Sequence, residues 1–444
     1  MTWFRAPVLW AAACLLVAIA ACKKDGSGLA DSGVHPDAHI IPMGGFFCDL
    51  PGDNPAGLTL PDGFCARKFA ELKAPRTIEF APNGDVFVAS PSAGTPGGAS
   101  PGPGAIMVLP DDDHDGVADT VSTFWKTGEL GTVHGLAFVG GNALVYSVVR
   151  AVYSIAYASG DRTAQNPSPT MIADLSDTGS NDRFTHTLGL GSDGQLWVTR
   201  GQYDSSFCPP HNPRSGSVLR IGANHDIHGD VVAQGFRNPM YMRCAPWGAC
   251  YAAELSGDGW TQIGGSEKFV ELKDGQDYGY PCCVDKDNPV PGSGADCGAT
   301  PSSLYLYQLH DTPFGFDWDT NGLWPAPYTN ALFIGFHGSF YEGPWAGTRL
   351  AWAPIDPMTH YPMGSNKTCT ADTDCETYQM CIPALAGGHT QFCGPKTLAS
   401  GFGINGPIKG RVTDVRMAPD GRLFFSDDAG GAVYWVAPKT LRRP

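Results

Sequence analysis

Four short stretches hold residue types that could act on a substrate or hold an anion. Arg183-Phe184-Thr185-His186-Thr187 offers a titratable imidazole just upstream of an apolar strand. Gly235-Phe236-Arg237-Asn238-Pro239 sets a guanidinium beside a carboxamide, ahead of a proline that stiffens the turn. Phe336-His337-Gly338-Ser339 and Gly410-Arg411-Val412-Thr413-Asp414 add a second imidazole and a second guanidinium. Singly, each reads as ordinary turn chemistry. Brought to one mouth from separate elements, two arginines and two histidines would make an anion pocket containing a base.

Two further segments carry ligand-like spacing. In Asp111-Asp112-Asp113-His114-Asp115-Gly116-Val117-Ala118-Asp119, carboxylates at Asp111, Asp113, Asp115 and Asp119 and a glycine at Gly116 match the first part of an EF-hand-like calcium loop. Ser122 stands where the loop's bidentate glutamate belongs, so the loop departs from the full pattern; a plain acidic turn is the alternative, and either role is structural. The second segment, Cys369, Cys375, Cys381 and Cys393 among Asp, Thr and Gly, reads as a disulfide-stapled loop, with a zinc knuckle as the alternative.

The elements that must position these groups repeat along the chain. Ile78–Ala89, Gly135–Tyr146, Leu188–Arg200, Met242–Ala253, Phe316–Ile334 and Val415–Ser426 each read as an apolar strand, a turn and a second apolar strand. Gly194 is the type of residue that a tight Ser-Asp-Gly hairpin requires. Six copies of a hairpin that cannot bury both faces alone predict an all-β, six-bladed β-propeller over about 61–440, with decorated loops and the cysteine-rich insertion at about 363–397. A β-sandwich with coincidental turns is the alternative. The 57 glycines and 37 prolines among 444 residues suit many short strands and turns.

A net charge of −15 without a basic stripe argues against nucleic acid. Arg5, the apolar run Val8 to Ala21 and then Cys22 read as a lipoprotein signal peptide over 1–21, an ordinary cleaved leader being the alternative. Residues 22–60 read as a tether. The expectation is an exported protein on the bacterial cell envelope, periplasmic or outer surface, touching membrane only through acyl chains on Cys22. Removing Cys14 and Cys22 from the 14 cysteines leaves an even number for an oxidising compartment, with Cys48–Cys65 and Cys244–Cys250 as local pairs. No Cys-x-x-Cys-His motif marks a covalent haem.

From about Pro61 to Tyr434 the chain resembles the soluble quinoprotein glucose/sorbosone (aldose sugar) dehydrogenases. The matching pieces, in order, are Pro75-Arg76, the His186 stretch, residues 235–239, Asp277-Tyr278-Gly279-Tyr280-Pro281, His337-Gly338-Ser339, and Gly410-Arg411 through Asp427-Asp428. The resemblance implies a six-bladed propeller that oxidises an aldose by hydride transfer to pyrroloquinoline quinone (PQQ), with calcium, and passes electrons to an external acceptor. It implies that His186 is the base, that Arg237 stabilises charge on the quinone oxygen, and that Asn238, His337, Arg411 and Thr413 are the cofactor-binding positions. His337 stands where some members have a lysine, and Thr413 where some have a second arginine; Ser90 replaces a common acidic or amide residue. The implied calcium carbonyls lie in Glu254-Leu255-Ser256-Gly257-Asp258-Gly259, at Ser256 and Gly257, in a loop with extra residues before Glu267. A non-catalytic propeller that binds glycans or proteins, and a calcium-dependent lactonase or hydrolase, are the rival functions on the same fold.

Overall fold

The structure is a computed structural model that describes residues 44–50, 57–91, 103–165, 168–176, 185–191, 193–202, 208, 214–222, 228–263, 265–338, 347–364, 367–382, 391–403 and 410–443. The leader, Cys22 and residues 23–43 of the tether lie outside these.

Each of the six hairpins opens one blade of a six-bladed propeller. Blade 1 runs Ile78–Phe80, Val86–Ser90, Ala105–Leu109, Ser122–Lys126, and blade 2 Val133–Val139, Ala143–Val148, Ala151–Ala156, Thr170–Asp174. Blade 3 is Leu188–Leu190, Leu196–Arg200, Ser217–Ile221 and Asp230–Gln234, with Gln276–Asp277 added in parallel; blade 4 is Asn238–Cys244, Cys250–Leu255, Ser266–Leu272 and Tyr305–Gln308. Blade 5 comprises Pro313–Trp318, Leu332–Phe336, Arg349–Ala353 and Cys393–Ala399, extended by Gln379–Cys381 from the cysteine-rich insertion. Blade 6 joins Val412–Met417, Leu423–Asp427 and Ala432–Pro438 to the early strand Phe64–Glu71, so the two ends of the described chain close the ring. Consecutive inner strands lie against one another all the way round.

Strands sandwiched between blades are apolar on both faces. Val86–Ser90, Leu332–Phe336 and Leu423–Asp427 are buried throughout. Aromatic rings cross the seams: Phe87 meets Phe138 edge-on at 5.1 Å, and Phe80 meets Phe424 at 5.4 Å. A fully buried Phe is worth roughly 1.5–3 kcal/mol relative to an exposed one, so these seams are the main stabilising term.

At the chain's periphery one expectation changes and one holds. Residues 44–50 and 57–60, read as tether, pack onto the propeller. Phe47 is buried against Trp435 and Leu441, the Cys48–Cys65 disulfide anchors the segment, and Thr59 bridges to Ser400. An apolar Phe46-Phe47 pair has no reason to stay in water. In the insertion, Cys369 pairs with Cys381 and Cys375 with Cys393, which commits those thiols to disulfides. Cys244–Cys250, Cys208–Cys282 and Cys283–Cys297 are the other bridges.

The beginnings of the inner strands share one irregularity. Aligned through the pairs Ile78↔Val88, Leu136↔Tyr146, Leu188↔Val198, Met242↔Ala252, Phe316↔Ile334 and Val415↔Phe425, the six blades superpose in sequence. Just before those positions, blades 2, 4, 5 and 6 each break register. Such a bulge re-aims side chains and leaves an amide without its ladder partner. A hydroxyl on the second strand takes that amide: Ser147 accepts from Gly135 N at 2.7 Å, and Ser426 from Asp414 N at 2.9 Å. The same hydroxyls then donate to the next blade, Ser147 to His186 O and Ser426 to Arg76 O, both at 2.6 Å. At Gly135 a Cβ would sit 2.5 Å from His186 O, so the close seam there requires glycine.

Candidate functional site

The bulges and the strand ends opposite them lie at one end of the ring, since Val412 pairs with Asp427, Pro313 with Phe336 and Asn238 with Leu255. His186, Arg237, His337 and Arg411 all sit at this end, within two residues of those strand termini. They form two groups rather than one.

The first group spans blades 5, 6 and 1. Asp428 follows the second strand of blade 6; its Oδ1 lies 3.0 Å from His337 Nε2, and its Oδ2 2.7 Å from Arg76 Nη2. The His337 ring stacks face to face on Phe314 at 4.2 Å, and the Arg76 guanidinium lies 5.9 Å from the centre of the same phenyl ring. Arg411 donates Nε–H to His337 O at 2.8 Å, while its own amide is held by Asp427 Oδ1 at 2.7 Å. Burial would raise the Asp428 carboxyl, but His337, Arg76 and Arg411 outweigh it and hold it well below the usual carboxylate range. Burial and the Arg411 charge push the His337 imidazole down to about 4, and burial pulls the Arg411 guanidinium down to about 9. At neutral pH this group is two cations around one firmly ionised carboxylate.

The second group belongs to blade 4. Arg237 donates Nη1–H to Ser256 O at 2.9 Å and pairs through Nη2 with Asp258, while its amide donates to Glu254 Oε1 at 2.9 Å. Asn238 accepts from Thr185 Oγ1 at 3.2 Å. Glu267 joins the two groups: its oxygens accept Ser256 N at 2.7 Å and His310 N at 3.0 Å, and the loop after His310 accepts His337 N through Thr312 O at 2.9 Å. Burial pushes the Glu267 carboxyl up to about 8 despite those two amides.

His186 and Thr413 are placed in seams instead. The His186 ring is wholly buried between blades 2 and 3, with Nδ1 2.9 Å from Thr199 O and Nε2 3.0 Å from Val149 O. Burial and Arg200 lower its pKa to about 4, so the ring is neutral and one nitrogen faces a carbonyl without a proton between them. Thr413 Oγ1 bonds Pro75 O at 3.1 Å and Ser426 Oγ at 2.7 Å across the seam between blades 6 and 1.

The axis itself carries residues that the sequence reading left without a role. Tyr241 from blade 4 has its ring 5.5 Å from His134 of blade 2, and its hydroxyl faces Thr77 of blade 1 on the opposite wall. Phe314, on which His337 stacks, lies 5.9 Å from the Tyr241 ring and continues this aromatic group. His134 occupies the blade position of His186, and aligning Val133-His134-Gly135-Leu136 with Thr185-His186-Thr187-Leu188 would have found it. Arg76 was visible in Pro75-Arg76, and Asp428 in Asp427-Asp428, but nothing in sequence said that they meet.

The fit to the cofactor and metals follows from these contacts. Arg76 and Arg411, with a neutral imidazole between them, suit a ligand bearing several carboxylates. A calcium ion on the Ser256 carbonyl does not fit, because a guanidinium already occupies that oxygen. The Gly257 carbonyl adjoins the same contact. In the acidic loop, oxygens of Asp111, Asp113 and Asp115 lie within 4.8 Å of one another. Asp119 turns its carboxylate to Asp112 N at 2.6 Å instead.

Residues 53–269 match the model of a domain of unknown function, DUF7133. No curated sequence matches the chain. Among solved structures, a Trichoderma reesei protein of carbohydrate-active enzyme family AA12 is 18% identical, with a TM-score of 0.67 over 87% of this chain and 99% of that one. The holo PQQ domain of pyranose dehydrogenase from Coprinopsis cinerea is 16% identical, with a TM-score of 0.62 over 86% and 98%. PQQ-bound aldose sugar dehydrogenase from Streptomyces coelicolor is 14% identical, with a TM-score of 0.51 over 85% and 100%. The chain is thus a six-bladed propeller that resembles PQQ-dependent sugar dehydrogenases in structure, at identities that establish the fold alone.

The bridge at Glu267 predicts a pH effect. Its folded pKa of about 8 exceeds the ordinary 4.5, so the native state binds the extra proton between those values. This contribution to stability is full below about pH 4.5 and is lost as pH rises through 8, with a slope of up to about 1.4 kcal/mol per pH unit for one proton. The thermal midpoint of the wild type should fall more steeply between pH 5.5 and 8 than that of Glu267→Gln. Parallel slopes in differential scanning calorimetry would count against the bridge.

Proposed function

We propose that this protein is an exported quinoprotein dehydrogenase that oxidises an aldose or related sugar with PQQ and passes the electrons to an external acceptor. The observation that carries the reading is the Arg76–Asp428–His337–Arg411 cluster at the mouth of a propeller that shares its fold with PQQ-binding enzymes. Arg411 and Arg76 are the groups that would hold the cofactor's carboxylates. Arg237 and Asn238 would face it from blade 4, and His337 would lie between the two sets. The bound quinone would supply a two-electron acceptor; the protein supplies orientation, charge and exclusion of water. His186 enters this reading as a seam residue: to act as the base it would have to leave the Val149 and Thr199 carbonyls.

Purified protein given PQQ, a redox dye and a panel of aldoses should reduce the dye. Arg411→Gln should weaken quinone uptake at least tenfold in an absorbance titration, which at about 1.4 kcal/mol per decade is the lower end for one charge-assisted hydrogen bond. No uptake and no reduction across the panel would end this reading. A second reading, a glycan-binding propeller, has one specific support: a groove beside the cysteine-rich insertion lined by Tyr328, Trp352, Tyr378 and Lys396. It would be selected by sugar binding that Tyr378→Ala abolishes while quinone has no effect.

The same proposal includes a structural calcium ion at Asp111, Asp113 and Asp115 on the blade 1 rim. Added calcium should raise the thermal midpoint of the wild type and leave Asp113→Asn unmoved; equal shifts in both would remove the ion. It also includes lipid anchoring at Cys22, which accords with six disulfides formed. Labelled fatty acid should enter the wild type and not Cys22→Ala, and an unlabelled wild type would return the leader to an ordinary signal peptide.

A further inference from the structure

We infer that His337 is the proton acceptor of this site and that Asp428 is the residue that positions it. The assignment rests on the dehydrogenase reading for the identity of the hydroxyl group served, but not for the dyad itself. His186 has each ring nitrogen within 3.0 Å of a backbone carbonyl, which leaves no face for a substrate. His337 instead sets one nitrogen against a carboxylate, at 3.0 Å.

An ionised carboxylate only accepts hydrogen bonds, so Asp428 fixes the His337 proton on Nε2 and places the lone pair on Nδ1. The carboxylate is itself held by Arg76 at 2.7 Å on its other oxygen. The ring has little freedom to rotate: it stacks on Phe314, its amide bonds Thr312 O at 2.9 Å, and its carbonyl accepts from Arg411 at 2.8 Å. This is the logic of a base oriented by a buried acid, in which the carboxylate stabilises the imidazolium without taking the proton. The charged groups that act on the ring are Asp428 from blade 6, Arg411 ahead of it and Arg76 from blade 1. Burial first, and then the Arg411 charge, keep the resting imidazole neutral, and Asp428 compensates the charge that appears on protonation.

In the step itself the substrate O–H bond breaks and an N–H bond forms at Nδ1. The hydrogen on the same carbon leaves with its electron pair to a two-electron acceptor of the quinone class. The carbon is oxidised to a carbonyl, and the proton passes from Nδ1 to water.

The test uses the mature protein with nitrogen-15-labelled histidine. Nuclear magnetic resonance should show His337, assigned by its loss in His337→Gln, fixed as the Nε2–H tautomer from pH 5.5 to 8. Asp428→Asn should release that tautomer. With an aldose and PQQ at concentrations that saturate each protein in the absorbance titration, His337→Gln should lower kcat at least about 100-fold, the usual scale for a general base. A Nδ1–H tautomer in the wild type overturns the dyad whether or not the protein turns over. A wild type that turns over, with His337→Gln keeping turnover within threefold, overturns the base. A fixed Nε2–H tautomer in a wild type that reduces no dye with any sugar would sink the dehydrogenase reading and the base with it, leaving Asp428 as the ring's positioning residue.

Discussion

The constraint on which this molecule depends is the register break at the start of its inner strands. A regular strand would send alternate residues to the axis and to the neighbouring blade. The break turns that alternation aside at one level and frees an amide that must be paired, since an unpaired buried amide costs about 1–3 kcal/mol. Ser147 and Ser426 pair it and then reach across the seam, so the irregularity of one blade is tied to the backbone of the next. In blade 3, Thr199 accepts from Thr187 N, and Thr187 Oγ1 donates to Met240 O of blade 4. The mouth is therefore built from positions whose local geometry has already been fixed by packing between blades.

Deeper along the axis the inner strands carry charge instead of aromatic rings. Arg243 of blade 4 meets Asp414 of blade 6 at 3.1 Å and donates to Phe316 O of blade 5, and Arg416 pairs with Glu79 of blade 1 at 2.6 Å. Asp414 also accepts Ile78 N at 2.8 Å. Four blades are thus stitched across the centre by groups that could not be buried singly. Burial raises both Glu79 and Asp414 to about 7. Above the belt Tyr241, His134 and Phe314 close the axis, and above them lies the cluster of Arg76, Asp428, His337 and Arg411. Ser426 ties the two levels, since its hydroxyl takes the Asp414 amide of the belt and donates to the Arg76 carbonyl of the cluster.

The fold was legible because propeller hairpins are local. Each pairs residues within a few positions of one another, and the alternation of Leu188 to Val198 or Val415 to Phe425 is written in contiguous sequence. The Cys48–Cys65 and Cys244–Cys250 bridges were readable for the same reason, whereas Cys208–Cys282 spans 74 residues and joins segments whose approach depends on two blades. The site was legible only in its inventory. Arg237, His337 and Arg411 were found as residue types next to strand ends. His186 was also found, but its burial between the Thr199 and Val149 carbonyls depends on how blade 2 leans on blade 3.

Sequence alone determined the six hairpins, the all-β class, the even cysteine count and the acidic loop, because each is a property of neighbouring residues. Only the tertiary structure decided which histidine meets a carboxylate and which is sealed in a seam. It also decided that Arg237 takes the Ser256 carbonyl and that residues 44–50 belong to the ring. The physical reason is the same in each case. A side chain's protonation and reach are set by burial and by charges from other blades, and those distances exist only once the ring has closed.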